Sequence, residues 1–216
     1  MSLIQLKPRP LDRDKAVFRD DRLFIIACDD RYAPRQYFAF FPNPRVHVHV
    51  IPTIDGTSTA EKVLTRLLEF EHDDDDERWM LLDTDHCTEG THLTGFRLAM
   101  READQKGIRI ALSKPCFELW LLLHHIDETK VGSLRKAKEV EAALKIELGQ
   151  YNKTKLQARH FQLSSVAEAC RRAEKLDPGS EIPQTNASRV YQLWKAIVAR
   201  TPATQLPAEL RSLLSP

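Results

Sequence analysis

Two short, wholly apolar runs, Leu23 to Cys28 (LFIIAC) and Trp79 to Leu82 (WMLL), constrain the fold of this chain more than any other feature. Strands that carry no polar residue at alternate positions are buried on both faces, as in a parallel sheet covered above and below by helices. Ile108 to Leu112 (IRIAL) gives a further central strand. Arg45 to Ile51 (RVHVHVI) follows another rule, because it alternates with period two. Val46, Val48 and Val50 then share one face, and His47 and His49 share the other. The two histidines have metal-ligand spacing, but with no third ligand near them in sequence they are read as solvent-facing residues of an edge strand.

Helical segments separate these strands. Thr57 to Glu61 contains an S-x-x-E pattern from Ser58 to Glu61, and Val63, Leu64, Leu67 and Leu68 recur at helical spacing, which predicts a capping box and a helix of about three or four turns. A second helix is expected from His92 to Gln105, closed by Gly107 in the left-handed position. Pro115 is expected to open a third, the apolar CFELWLLLHHI, as its first helical residue. Strand, helix, strand, helix in close succession implies right-handed crossovers and a mostly parallel sheet flanked by helices, an α/β fold. After about residue 127 only helix-period segments follow, near 133–148, 164–175 and 187–200. The expected organisation is an α/β core over 1–127 and a helical extension over 128–216 packed on it.

Composition removes several classes of function. With 42% hydrophobic and 29% charged residues the chain is typical of a folded globular protein. No run reaches the roughly 18 apolar residues that span a bilayer, so the expected setting is soluble and cytoplasmic, with no membrane partner. Cys28, Cys87, Cys116 and Cys170 form no C-x-x-C pair and are read as reduced, packed thiols. A net charge of +1 leaves no broad basic surface, so nucleic-acid contact must be local. The stretch from Lys7 to Arg22 and that from Lys153 to Arg159 are the candidate patches, and each also reads as solvated surface charge. No G-x-x-x-x-G-K-S/T motif occurs.

The chemistry concentrates at the strand ends. Asp29 and Asp30 follow the first strand, Asp83 and Asp85 follow the Trp79 run, and Glu118 follows the Ile108 run. Ligands of open parallel sheets bind beyond these carboxyl ends. If the pleat persists through Thr84, Asp83 and Asp85 point the same way about 7 Å apart and can share a hard cation. Crowded carboxylates repel unless a cation such as Mg²⁺ neutralises them, and that combination serves phosphoryl transfer. The alternative is that these aspartates only cap helices and end strands. His86 reads as a proton-transfer group, a phosphate contact or a polar loop residue. His86, Lys114, Lys153, Lys155 and Arg159 are the candidate nucleic-acid contacts, since an acidic cleft repels nucleic acid unless cations flank it.

Three segments resemble the motifs of one family. FIIACDDRYAPRQYF (Phe24 to Phe38) is similar to the first motif of the RloB-like family, WMLLDTDH (Trp79 to His86) to its strand with an Asp-x-Asp end, and ALSKPCFELWLLLHH (Ala111 to His125) to its Leu-Ser-Asn-Pro-Cys-Phe-Glu-Leu-Trp run. Tyr151-Asn152-Lys153 and Asn186-Ala187-Ser188 fall where that family carries similar pieces. The resemblance implies a Toprim-like core that binds Mg²⁺ or Mn²⁺ and cleaves phosphodiesters of DNA or RNA in phage defence, beside a RloA-type ATPase partner and with homo-oligomers open. Carried over by position, Asp83 and Asp85 match the metal-binding pair, with Asp29 as the third ligand; Glu118 matches an acidic residue of the Phe-Glu-Leu-Trp motif, to be read either as a further catalytic residue or as a helix cap or core support. The first motif departs from the family, with Asp29-Asp30 in place of Glu-Gly. A carboxylate one methylene shorter falls about 1 Å short, enough to lower a rate about a hundredfold, and a turn needing positive φ would not suit Asp30 freely. Two other readings therefore stand beside the nuclease: a degenerate Toprim domain serving as a nucleic-acid- or ATPase-binding module, and a small-molecule phosphoryl-transfer enzyme.

Overall fold

The structure is a computed structural model that describes residues 22–43, 45–54, 58–85 and 92–214. The basic stretch before Arg22, together with His86 and Cys87, lies outside the described residues. Five strands form one sheet in the order β2-β1-β3-β4-β5, where β1 is Arg22–Cys28, β2 Val46–Ile51, β3 Glu77–Asp83, β4 Arg109–Lys114 and β5 Ala187–Ser188. The first four are parallel, with Cys28 opposite Leu81 and Asp83 opposite Ser113. The two-residue β5 is antiparallel to β4 and extends the same sheet, in a region expected to hold only helices. The fold is α/β, a mostly parallel sheet flanked by helices.

Strand parity sorts the core into two layers. Phe24, Ile26, Cys28, Trp79, Leu81 and Ala111 face one side. Helices α1 (Ala33–Ala39), α4 (Glu118–Leu123), α5 (Ala137–Leu148), α6 (Leu163–Leu176) and α7 (Val190–Arg200) pack there. Ile25, Ala27, Met80, Leu82 and Leu112 face the other side, under α2 (Ala60–Glu69) and α3 (His92–Gln105). The helices after residue 127 thus share one continuous core with β1, β3 and β4. At the centre of that layer the buried Tyr37 hydroxyl accepts from Trp194 Nε1 at 3.1 Å and bonds His124 Nε2 at 3.0 Å. His124 Nδ1 meets Ser165 Oγ at 2.7 Å, and Ser165 donates onward to the Gln162 carbonyl. Burial, with His125 and Arg172 nearby, lowers the His124 pKa to about 3, so the ring is neutral. With Ser165 donating to Gln162, the ring carries its proton on Nδ1 and accepts from Tyr37, which satisfies every member of the chain.

Local expectations fail where the backbone has other partners. α1 was not anticipated, and the carboxylate of Asp30 starts it by accepting from the Tyr32 and Ala33 amides. α2 begins at Ala60 with Thr59 as its cap and no side-chain capping bond. Glu61 is therefore the second helical residue, where a capping box needs an acceptor at the third, occupied here by Lys62. α4 starts at Glu118 and not at Pro115, because the Pro115 carbonyl accepts from the Asp85 amide at 3.2 Å and so continues the β3 to β4 ladder. Gly107 does take a positive φ of 67° past α3, as its position requires.

Candidate functional site

The connection from β1 to β2 runs one way along the sheet, and β3 and β4 lie the other way. The direction reverses between β1 and β3, with helices on opposite faces, and this switch point opens a crevice beyond the carboxyl ends of those two strands. Asp29 ends one wall and Asp83 the other. Their separation is fixed by a hydrogen bond: Asp29 Oδ2 accepts from the Asp83 backbone amide at 2.8 Å. Beyond Asp83 the ladder continues, with the Thr84 amide bonded to Ser113 O at 3.0 Å and Asp85 to Pro115 O. Thr84 is buried while Asp83 and Asp85 are half-buried, the alternation expected if the pleat persists. Asp83 shares the parity of Trp79 and Leu81, so it faces the layer that contains α4.

Glu118 enters from that layer in the first turn of α4, completely buried. Its Oε1 accepts from Tyr151 Oη at 2.8 Å and pairs with Lys153 Nζ at 3.2 Å. Its Oε2 is buried and has no partner. Lys153 Nζ also pairs with Asp30 Oδ2 at 2.5 Å. An ammonium thus stands among the carboxylates, carried in by the loop between α5 and α6.

The electrostatics follow from burial. Asp29 is pushed up to about 7, first by loss of water and then by Asp30 and Asp85, against the stabilising Asp83 amide. Asp83 is raised well above the usual carboxylate range by burial, then by Asp29, Glu118 and Asp85, with Lys153 opposing. Burial works against the charge on Lys153, but Glu118 and Asp30 outweigh it and hold its pKa above the usual lysine value. Burial, then Glu118, likewise raises the Tyr151 phenol, which stays a hydrogen-bond donor.

The structure therefore brings together Asp29, Asp83, Asp85 and Glu118 of the predicted residues, with Lys153 among them. Lys114 ends β4, Lys155 is exposed on the loop after Lys153, and Arg159 lies exposed at the rim of a separate cavity. That cavity, of about 410 Å³, is walled by Phe38, Phe41, Val48, Phe161 and Trp194 and includes none of the cleft carboxylates. His47 and His49 are exposed on β2, and His49 stacks on Phe70. Cys28, Cys116 and Cys170 are buried with pKa values raised chiefly by burial, and so are packed thiols. Gln36 was missed, and Asp30, expected only as a carboxylate at the end of the first strand, gains partners there. Asp30 caps α1 and pairs with Lys153, and it needs no positive φ, since among the described residues only glycines adopt one. Gln36 holds the Lys153 loop, and no local pattern marks it.

Among the described residues no three His, Cys, Asp or Glu side chains stand at the spacing that would enclose a metal ion. The donor set nevertheless suits a hard cation, being all carboxylate oxygen with mutual repulsion. Glu118 Oε2 is the specific observation in favour of that fit, a buried carboxylate oxygen left without any partner.

Fold and cleft together define an α/β protein with a carboxylate cluster at the switch point of a parallel sheet. Comparison with known families places it further: the RloB-like protein family matches residues 24–197, and the chain belongs to that family. No curated protein and no solved structure matches it. Among the described residues no helix is long and apolar enough to cross a membrane.

Proposed function

We propose that the cleft binds Mg²⁺ or Mn²⁺ and that the protein is a metal-dependent, Toprim-like nuclease cleaving DNA or RNA in phage defence, working beside a RloA-type ATPase. The observation that carries this reading is the convergence of Asp29, Asp83 and Glu118 at the switch point, with Asp29 and Asp83 raised by burial and mutual repulsion. Asp29, Asp83 and Asp85, joined by Glu118, would hold the cation once their side chains turn toward it. A cation bound there would supply Lewis-acid polarisation of a phosphoryl oxygen and a more acidic water. Asp29 fixes the end of β3 through the Asp83 amide and, with a pKa of about 7, can hold or release a proton near neutrality. Lys153 and Tyr151 hold Glu118 in place.

A second reading has its own observation. Lys153 already neutralises part of the carboxylate charge, as a degenerate domain that binds nucleic acid or the ATPase without cutting would require. Calorimetry with Mn²⁺, paired with cleavage assays on single-stranded and structured DNA and RNA, separates the two. The nuclease reading expects Mn²⁺ binding that Asp83→Asn weakens at least about tenfold, since a lost ligand charge no longer offsets cation dehydration. It also expects cleavage that Asp85→Asn abolishes. Equal Mn²⁺ affinity in wild type and Asp83→Asn removes the metal hypothesis, and metal binding without cleavage favours the binding module.

A further inference from the structure

The loop that delivers Lys153 is secured by one side chain of α1. Gln36 Nε2 donates to the Lys153 carbonyl at 2.9 Å, and Gln36 Oε1 accepts from the Leu156 amide at 2.9 Å. The same amide group therefore clamps both ends of the turn. Within it Asn152 Oδ1 accepts from the Thr154 amide at 2.9 Å, and the Lys155 amide donates to the Asn152 carbonyl at 2.9 Å. Tyr151, one step earlier, donates to Glu118. This backbone has no helix or strand to hold it, so its seating depends on Gln36, Tyr151 and the Lys153 ion pairs.

Those contacts are unevenly spread over Glu118. Oε1 receives both Tyr151 and Lys153, while Oε2 receives nothing and is shut off from water. One ammonium is thus shared between two buried carboxylates, Asp30 and Glu118, and touches a single oxygen of Glu118. A divalent cation placed on Glu118 would meet that ammonium at ion-pair range in a medium where charge is poorly screened. Like charges this close are strongly disfavoured, and Lys153, whose side chain is 38% exposed, already reaches solvent.

Resting on the reading that the cleft takes a divalent cation, we propose that Lys153 is the cleft's resident counter-cation, that the divalent cation binds by displacing it from Glu118, and that Gln36 is the positioning residue that sets how firmly the competing loop is seated. Metal occupancy and loop release are then one equilibrium. Lys153 holds the acidic cleft together when metal is scarce and leaves when metal arrives.

Hydrogen exchange of the full, unsubstituted chain with and without Mg²⁺ reads the displacement directly. The Leu156 amide, bonded to Gln36, and its neighbours in residues 153–157 should exchange about tenfold faster with Mg²⁺ bound, because their protection depends on the seated loop. Calorimetry with Mn²⁺ reads the competition: Lys153→Met should bind about tenfold tighter than wild type, Gln36→Ala a few-fold tighter, and Lys153→Arg about as wild type. Unchanged or slower loop exchange while Mn²⁺ demonstrably binds overturns the displacement, as does Mn²⁺ affinity in Lys153→Met equal to or below that of wild type. Absence of Mn²⁺ binding in wild type and all variants overturns the metal reading itself, and this inference with it.

Discussion

Two acidic groups in this protein invite comparison. Asp73 to Asp76 are consecutive, stand on the loop before β3, and are exposed apart from the half-buried Asp76. Asp75, 85% exposed, pairs with Arg22 at 3.1 Å, and Asp76 Oδ2 accepts from the Asp73 amide. The cleft group is scattered along the chain, yet it is there that carboxyl pKa values are driven upward and an ammonium is drawn in. Density of charge in the sequence is thus a poor guide. Water solvates four adjacent surface aspartates at little cost, whereas a few carboxylates shut away from water must find protons, ammonium or metal.

The comparison breaks most readily at Lys153. Replacing it by Met leaves Asp30 and the fully buried Glu118 without their counter-charge, and unfolding by urea should show a loss of about 2 to 4 kcal/mol, less than for a wholly buried pair because Lys153 is partly exposed. A loss under about 0.5 kcal/mol would mean that the cleft behaves electrostatically like the exposed loop.

Asp29 sharpens the contrast through pH. Its folded-state pKa of about 7 lies above the roughly 3.9 of an unfolded aspartate. Below about pH 3 both states are protonated and the group does not affect stability. Between about pH 4 and 7 the unfolded state gives up its proton first, so stability falls as pH rises, and above 7 the whole penalty is present. Asn at this position can still accept from the Asp83 amide. Asp29→Asn should therefore stabilise the chain by on the order of 2 kcal/mol at pH 8 in chelator and leave it unchanged at about pH 3. Equal effects at both pH values would show that Asp29 is solvated like Asp74.

The smallest effect belongs to the loop itself. Asp74→Asn should alter stability by no more than about 0.5 kcal/mol at any pH from 4 to 8, as for most exposed substitutions. A larger, pH-dependent change would give the loop an unrecognised partner and erase the distinction.

The strands were legible because their burial is written locally. LFIIAC and WMLL admit no solvated face, and both are strands, extended by the structure to Arg22–Cys28 and Glu77–Asp83. The Val and His alternation likewise fits the edge strand β2, whose histidines are exposed. The short helix α1 was not legible, since its start depends on Asp30 turning back to the Tyr32 and Ala33 amides. The start of α4 was misplaced for a similar reason: Pro115 suits a first helical turn, but its carbonyl is taken by Asp85 from another element.

What the sequence by itself determined was the parallel α/β layering and the placement of Asp29, Asp83 and Glu118 at strand and helix ends. Apolar runs, turn residues and chain order specify these without reference to distant partners. Tertiary structure decided what those carboxylates experience. Asp29 meets the Asp83 amide only because β1 and β3 are neighbours, and Glu118 receives Tyr151 and Lys153 only because α5 and the following loop fold back over α4. Gln36 acts on residues more than a hundred positions away. Periodicity reports which face of an element is buried, but pKa, ion pairing and competition for one oxygen depend on distances between elements, and these exist only after the chain has packed.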